Sequence, residues 1–255
     1  MEIKGKKAVL VGGASGMGRA TAELFAARGA DVAVLDRPGS AGAEVAAALG
    51  GTFHPVDVTD FDGAEAALRA AVDALGGLHI TVTTAGGGMA QRTLSKNGPH
   101  DLESFRRVLD LNTVATFNIS RLAAAHMSRN EPEDAETGER GVIVNTASIA
   151  AFEGQIGQVA YTAAKAAIAG MALTMARDLG SLGIRVLAIA PSLFATGGIG
   201  RLSEEMKVAL TKDNAFPKRM GRPEEYAKLA LAIVDNPMLN GQCLRLDAGQ
   251  RFAPR

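Results

Sequence analysis

Short apolar runs alternate along the chain with longer segments in which apolar residues recur every three or four positions. Short runs bounded by glycine or proline predict buried strands, and the periodic segments predict helices. The predicted strands span residues 8–12, 32–35, 53–56, 78–84, 142–146, 184–190 and 243–246. The predicted helices span residues 17–28, 41–49, 60–75, 101–127, 159–179 and 224–234. This alternation predicts one α/β domain over 1–255, a Rossmann-type doubly wound parallel sheet with helices on both faces.

Two segments do not follow this pattern. Residues 129–140 are polar and mostly acidic, which predicts a solvated surface loop. Residues 194–222 follow Pro191, mix glycines with an amphipathic patch and are long for a connection. Loops of this length are often functional, so we predict a substrate lid over 194–222.

Composition narrows the classes of function. The 255 residues include 27 basic and 27 acidic side chains, without the basic surplus that a nucleic-acid-binding protein usually carries. Cys243 is the single cysteine, so the chain has no internal disulfide, and we expect no metal site because its four histidines are widely spaced. The apolar run after the basic start is too short for a signal peptide, and no stretch approaches about 18 consecutive apolar residues, so we expect no membrane span.

A glycine-rich segment, residues 12–18, lies between the first predicted strand and the first predicted helix. Its glycines are Gly12, Gly13, Gly16 and Gly18. Glycines at such a turn allow a pyrophosphate to approach the backbone, and the helix N-terminus supplies free N–H groups. The alternative is that these glycines serve only the turn itself.

An acidic residue, Asp36, ends the second predicted strand about 20 residues beyond the glycines. A carboxylate at this place accepts hydrogen bonds from the adenosine ribose of NAD and repels the additional phosphate of NADP. Two alternatives remain open. Asp36 can simply begin the turn before Pro38, and the neighbouring Arg37 would favour NADP.

Tyr161 and Lys165 are four residues apart within a predicted helix. This spacing places both side chains on one face, about 6 Å apart along the axis. A free tyrosine has a pKa of about 10, and a nearby ammonium lowers it towards the range of a usable acid or base. Ser148 follows the strand 142–146, so its side chain is expected at the same sheet edge as Tyr161. Alone, the Tyr–Lys spacing is also common in surface pairs.

Together these motifs resemble the short-chain dehydrogenase/reductase family over essentially the whole chain. The resemblance implies that Tyr161 exchanges the proton, that Ser148 binds the substrate oxygen, and that Asn112 and Lys165 form a proton relay with water. The cofactor contacts that it implies are Gly12, Ser15, Gly16, Met17, Gly18, Asp36, Asp57, Val58, Ala85, Gly86, Tyr161, Lys165, Pro191, Phe194 and Thr196. The substrate contacts that it implies are Ser148, Gln155, Gln158 and Tyr161.

Within the family, residues 140–185 are most similar to the type 2 3-hydroxyacyl-CoA dehydrogenases, which also act on steroids at carbon 17. This implies NAD as cofactor, an acyl-CoA substrate and a homotetramer. We also expect a cytoplasmic location and, from the charge balance and the lack of a long apolar stretch, neither a nucleic-acid nor a membrane partner. The alternatives are a 3-oxoacyl-carrier-protein reductase, a steroid or sugar dehydrogenase, and a non-catalytic NAD-binding scaffold protein.

Residues of the lid and of a second loop fit an acyl-CoA. Apolar lid residues would cover the acyl chain: Phe194, Ile199, Leu202, Met206, Leu210 and Phe216. Basic residues would meet the CoA phosphates: Arg92, Lys96, Lys212, Lys218 and Arg219. Subunit packing and plain solvation are the respective alternatives.

The sequence departs from the family pattern at three places beside the expected cofactor site. Val11 replaces a threonine, Thr83-Thr84 replaces Asn-Asn, and Ser192 replaces a glycine. None of these changes removes a catalytic group, so they bear on cofactor affinity rather than on the type of reaction.

Overall fold

A seven-stranded sheet organises the protein, whose computed structural model describes residues 1–197 and 202–254. Every pairing in this sheet is parallel, and the strand order is β3-β2-β1-β4-β7-β8-β9. Its strands are β1 Lys7–Val11, β2 Asp31–Asp36, β3 Thr52–Pro55, β4 Ile80–Thr83, β7 Gly141–Thr146, β8 Ile184–Pro191 and β9 Cys243–Leu246. The predicted doubly wound α/β fold is confirmed.

Helices cover both faces of the sheet. They are α1 Gly16–Ala27, α2 Gly42–Ala48, α3 Phe61–Leu75, α4 Leu102–Leu109, α5 Ala115–Met127, α6 Val159–Leu179, α7 Glu204–Thr211 and α8 Pro223–Asp235. Side chains alternate between the faces along β1: Ala8 and Leu10 pack into one apolar cluster with α1 and α8, whereas Val9 and Val11 pack into another with α3 and α5. This alternation follows from the two-residue period of a strand.

The segment 101–127, predicted as one helix, is interrupted. Helix α4 ends at Leu109, a wider π-helical turn spans Asp110–Val114, and α5 continues from Ala115. Inside this turn the side-chain amide of Asn112 donates to the backbone carbonyl of Val108 at 2.8 Å. Such π-turns often occur at functional sites, because they redirect a side chain without ending the helix.

The two segments outside the regular pattern also differ from expectation. Residues 131–137 are exposed, as predicted for a solvated loop, but Glu139 is buried and pairs with Arg185 at 2.7 Å. The lid segment contains α7, and Ile199 lies outside the described residues. A short hairpin that the sequence did not predict pairs β5 Leu94–Ser95 with β6 Gly98–Pro99.

One helical segment, Val159–Leu182, is long and apolar enough to cross a membrane by length and composition. The sequence criterion of consecutive apolar residues did not identify this segment. In the structure the segment includes α6, which carries Tyr161 and Lys165 and packs against β8. Core helices of globular domains meet the same criteria, so this observation is weak evidence for a membrane span.

Candidate active site

A large cleft opens where the parallel strands end. Its volume is about 1150 Å³, somewhat above the usual range for small-molecule sites. It collects most of the predicted site residues, as expected for the carboxyl edge of a doubly wound sheet. The predicted residues that line it are Gly12, Ser15, Gly16, Met17, Asp36, Asp57, Val58, Ala85, Gly86, Ser148, Gln158, Tyr161, Lys165, Pro191, Phe194 and Thr196.

The glycine turn is shaped by two different constraints. Gly12 has φ +83° and Gly16 has φ +52°, a region that side chains disfavour. Gly18 does not line the cleft; a Cβ there would lie 2.2 Å from the carbonyl oxygen of Gly12. Gly18 therefore permits close packing of α1 beneath the turn.

The N-terminus of α1 is suited to an anion. Its first turn contains no acidic residue, and the N-cap Ser15 makes no side-chain hydrogen bond to the helix. The first N–H groups of the helix therefore have no cap from Ser15, and the helix dipole favours negative charge at this end. These features fit a pyrophosphate at this turn.

The Asp36 carboxylate organises the same turn. One oxygen accepts from the amide of Ala14 at 2.9 Å, and the other accepts from the amide of Arg37 at 2.8 Å. Each oxygen can accept further hydrogen bonds. Asp36 can therefore hold the glycine turn and still accept from a ligand hydroxyl, which combines the predicted ribose contact with the turn-forming alternative.

Asp57 and Val58 follow β3 and border the cleft next to Asp36. One Asp57 oxygen accepts from the amide and the hydroxyl of Thr59, at 2.9 Å and 2.7 Å. These two hydrogen bonds lower the pKa of the Asp57 carboxyl below its ordinary value. The carboxylate is thereby held in a defined orientation and stays ionised to a lower pH than an ordinary aspartate does.

Asn112 lies under the cleft rather than in its wall. It is fully buried, and its side chain forms a reciprocal pair with Gly87: the amide of Gly87 donates to it at 3.1 Å, and it donates to the Gly87 carbonyl at 2.7 Å. Together with the bond to Val108, these contacts use both N–H groups of Asn112. The side chain fixes the loop 86–88 to the helix, which is a positioning role.

The catalytic candidates Ser148, Tyr161 and Lys165 share one wall of the cleft. The Lys165 nitrogen lies 5.6 Å from the centre of the Tyr161 ring. The sequence predicted that Lys165 lowers the phenol pKa; in the structure burial raises the pKa of Tyr161, and the neighbouring Ser148 hydroxyl is the group that opposes this rise. Burial also lowers the pKa of Lys165 from 10.5 to about 8.

Two further residues support Lys165 and escaped the sequence analysis. The Lys165 ammonium donates to the carbonyl of Thr146 at 2.8 Å. The Thr146 hydroxyl lies 2.6 Å from the carbonyl of Thr83 and 2.7 Å from the hydroxyl of Tyr226. Because a carbonyl only accepts, Thr146 donates to Thr83 and accepts from Tyr226. Nothing in the local sequence marks Tyr226, which comes from α8.

Other residues of the cleft were also missed or misplaced. Gly88 allows the Tyr161 ring to approach, since a Cβ there would lie 2.7 Å from the ring; the three consecutive glycines at 86–88 were its only signal. Phe252 lines the cleft from the far end of the chain. Gln155, a predicted substrate contact, does not line the cleft. Its side-chain amide instead donates to the backbone carbonyl of Ala253 at 3.2 Å.

The described part of the chain contains no group of three His, Cys, Asp or Glu side chains arranged to hold a metal ion.

Comparison with known protein families identifies the family to which this chain, with its glycine turn and its Ser148, Tyr161 and Lys165 side chains, belongs. A model described as short chain dehydrogenase matches residues 6–207. The chain belongs to the short-chain dehydrogenase family.

Relatives within this family match the chain over nearly its full length. The Drosophila melanogaster protein named 3-hydroxyacyl-CoA dehydrogenase type-2 is 51% identical over 256 residues, which cover 99% of this chain and 100% of that protein. A crystal structure of 3-hydroxyacyl-CoA dehydrogenase type-2 from Mycobacterium avium has 42% identity and a TM-score of 0.94, and 98% of each chain is covered.

A more distant solved structure carries the cofactor. It is a 7α-hydroxysteroid dehydrogenase complexed with NADH and 7-oxo glycochenodeoxycholic acid, at 29% identity and a TM-score of 0.87, covering 100% of this chain and 97% of that one. Together with the family match, it shows that this short-chain dehydrogenase is an oxidoreductase that acts on hydroxyl groups, binds a nicotinamide cofactor and uses a small-molecule substrate.

Proposed function

We propose that this short-chain dehydrogenase interconverts 3-hydroxyacyl-CoA and 3-oxoacyl-CoA with NAD. The observation that carries the substrate class is the full-length likeness, at 51% identity, to an enzyme named 3-hydroxyacyl-CoA dehydrogenase type-2. The cleft, at about 1150 Å³, is larger than the usual small-molecule site, as expected if a cofactor and a substrate share it.

Each side chain of the cleft has a separate role in the oxidation of the alcohol. Bound NAD supplies the hydride acceptor. The Tyr161 oxygen takes the proton of the substrate hydroxyl, and the Ser148 hydroxyl donates to the substrate oxygen as it becomes a carbonyl. Lys165, with its nitrogen 5.6 Å from the tyrosine ring, supplies the positive charge that favours the phenolate. Asn112 holds the loop 86–88, and its place in a proton relay remains a prediction.

Asp36 supports NAD over NADP. Its carboxylate stands at the cleft edge with both oxygens already fixed by the amides of Ala14 and Arg37. A 2′-phosphate placed there would meet a negative charge, whereas a 2′-hydroxyl would find an acceptor. The test is kcat/KM with NAD and with NADP on the same alcohol. Equal or better use of NADP would contradict this assignment and would favour Arg37 as a phosphate partner.

Two of the five basic residues predicted to meet the CoA phosphates make hydrogen bonds or ion pairs within the protein, and none of the five lines the cleft. Arg219 pairs with Glu225 at 2.6 Å, and the Lys218 ammonium donates to the carbonyls of Lys212 and Asn214. Both side chains therefore already have partners within the protein. Among the basic residues predicted from sequence, the exposed Arg92, Lys96 and Lys212 remain as candidates for the CoA phosphates.

The substrate test compares 3-hydroxybutyryl-CoA with free 3-hydroxybutyrate under saturating NAD, at low and high salt. We expect at least about tenfold higher kcat/KM for the thioester, because remote contacts to CoA lower the barrier. The advantage should shrink at high salt if phosphate contacts contribute. Equal efficiency on both, or activity confined to steroids, sugars or carrier-protein thioesters, would refute the acyl-CoA assignment and leave the dehydrogenase chemistry intact.

We also propose the homotetramer that the family resemblance implies, and a cytoplasmic location. Light scattering of the purified enzyme measures the first, and a dimer or monomer at working concentration would contradict it. Fractionation of the source cells measures the second, and recovery with membranes or in an organelle would contradict it.

A further inference from the structure

A segment far along the chain forms part of the cleft wall. Residues 247–254, called the strap below, follow β9, and Phe252 from this segment lines the cleft together with Ser148, Gln158 and Tyr161. The strap begins with a sharp turn at Ala248 and Gly249, which have φ +54° and +72°. Ala248 is the one non-glycine residue with positive φ among those described. A left-handed alanine is costly, so other contacts must hold this turn.

Charged side chains hold the strap to the segment that follows Ser148. One oxygen of Glu153 pairs with Arg245 at 2.8 Å and with Arg251 at 3.3 Å, and the other accepts from the amide of Phe252 at 3.2 Å. Asp247 pairs with the same two arginines, at 2.6 Å and 3.0 Å. Glu153 and Asp247 are only 22% and 10% exposed, so this network is less screened than surface pairs are.

Backbone contacts extend this attachment in two directions. On the catalytic side, the Ile156 amide donates to the carbonyl of Pro254 at 3.0 Å, within the stretch between Ser148 and Tyr161. On the lid side, the buried Gln250 donates to the carbonyl of Leu210 at 3.0 Å, at the end of α7. The strap therefore joins the lid to the segment between Ser148 and Tyr161.

We propose that Phe252 is a specificity-determining residue, whose ring limits the space for the substrate's carbon chain, and that Glu153 is the positioning residue that sets where this ring stands. Glu153 itself does not line the cleft; it acts through the amide of Phe252 and through the two arginines. The identity of that carbon chain as an acyl group rests on the proposed function. The role of Phe252 as a size-limiting wall applies to any secondary alcohol that the enzyme accepts.

The first test is Phe252→Ala, assayed on 3-hydroxybutyryl-CoA and 3-hydroxydecanoyl-CoA. We expect the ratio of kcat/KM, long chain over short, to rise by roughly tenfold or more, mainly through KM, because hydrophobic pockets discriminate by about this much. Phe252→Leu restores most of the bulk and should fall between alanine and wild type. Met238→Ala is the surface control, since that side chain is 88% exposed and outside the cleft. NADH affinity by fluorescence titration should be unchanged in all three variants.

The second test is Glu153→Gln, alone and combined with Phe252→Ala. Glu153→Gln should shift the chain-length ratio of kcat/KM in the same direction as Phe252→Ala does. The double variant should shift this ratio no further than Phe252→Ala alone, because the effects of two substitutions that act through the same ring are not additive. Arg251→Met removes one partner of the same carboxylate and serves if Glu153→Gln does not fold. Independent, multiplying effects would overturn the role of Glu153.

An unchanged chain-length ratio in Phe252→Ala, with NADH affinity intact, would overturn the role of Phe252. Failure of the proposed function has a different signature, since wild type itself would then reject every acyl-CoA. In that case the same ratio is measured on a small and a bulky member of the alcohol class that wild type does oxidise, and it decides the role of Phe252 in the same way.

Discussion

The pH dependence of stability tests how strongly burial penalises the charged form of Lys165. Lys165 is 3% exposed, and its pKa in the folded protein falls from 10.5 to about 8. This fall corresponds to about 3 kcal/mol of penalty on the charged form in the native state. Below pH 8 the penalty is fully present. Between pH 8 and 10.5 the unfolded chain binds the proton that the folded protein has lost. The free energy of unfolding therefore rises with pH across this window.

The perturbation is Lys165→Met, which keeps an unbranched side chain and removes the charge. The difference in unfolding free energy, wild type minus variant, should increase by about 3 kcal/mol from about pH 7 to about pH 10.5. The variant also loses the hydrogen bond to the carbonyl of Thr146. The part of that bond that a neutral amine also makes is the same at every pH and cancels from the slope, and the part that depends on the charge is already contained in the pKa. The slope is therefore a cleaner measure than stability at a single pH.

The assay is urea unfolding of the cofactor-free enzyme at a series of pH values, with the m-value checked for constancy. Lys228→Met, which removes an exposed ammonium on α8, is the matched control and should run parallel to wild type. Parallel curves for wild type and Lys165→Met would refute the reasoning. They would mean that the fold compensates the buried ammonium before any cofactor is bound.

Substitutions at three further positions test the predicted cofactor-binding and catalytic residues. Tyr161→Phe should retain NADH binding but lose about a hundredfold to ten-thousandfold in kcat, since it removes only the proton-exchanging oxygen; near-normal turnover would exclude Tyr161. Asp36→Ala should raise KM for NAD about tenfold or more through lost charge-assisted hydrogen bonds, while Asp36→Asn should retain more NAD affinity yet accept NADP better; unchanged discrimination in both would contradict the role of the charge. Gly18→Ala should destabilise the protein by about 1–3 kcal/mol and weaken NADH binding, because the new Cβ would meet the Gly12 carbonyl. Gly170→Ala, which has open space around it, should not destabilise the protein. Equal melting temperatures for wild type and Gly18→Ala would refute the packing argument.

Several features of the protein follow from its sequence alone. The alternation of apolar runs and periodic segments predicted the parallel sheet and its covering helices, because side-chain period depends only on near neighbours in the chain. The glycine turn, Asp36, Ser148 and the Tyr161–Lys165 pair were found for the same reason. Each is tied to one strand end or one helix face, and the carboxyl edge of the sheet then brings them together.

Only the tertiary structure shows which distant residues hold these cleft side chains and their neighbours in place. Thr146 meets Tyr226 across 80 residues, and Glu153 meets the amide of Phe252 across 99. No local period or spacing marks such contacts, because they depend on how α8 and the strap pack against the strand ends. The pKa of Tyr161 shows the same division. The spacing to Lys165 is local and predicted a lowered pKa, but the burial that raises the pKa comes from the tertiary structure around the ring.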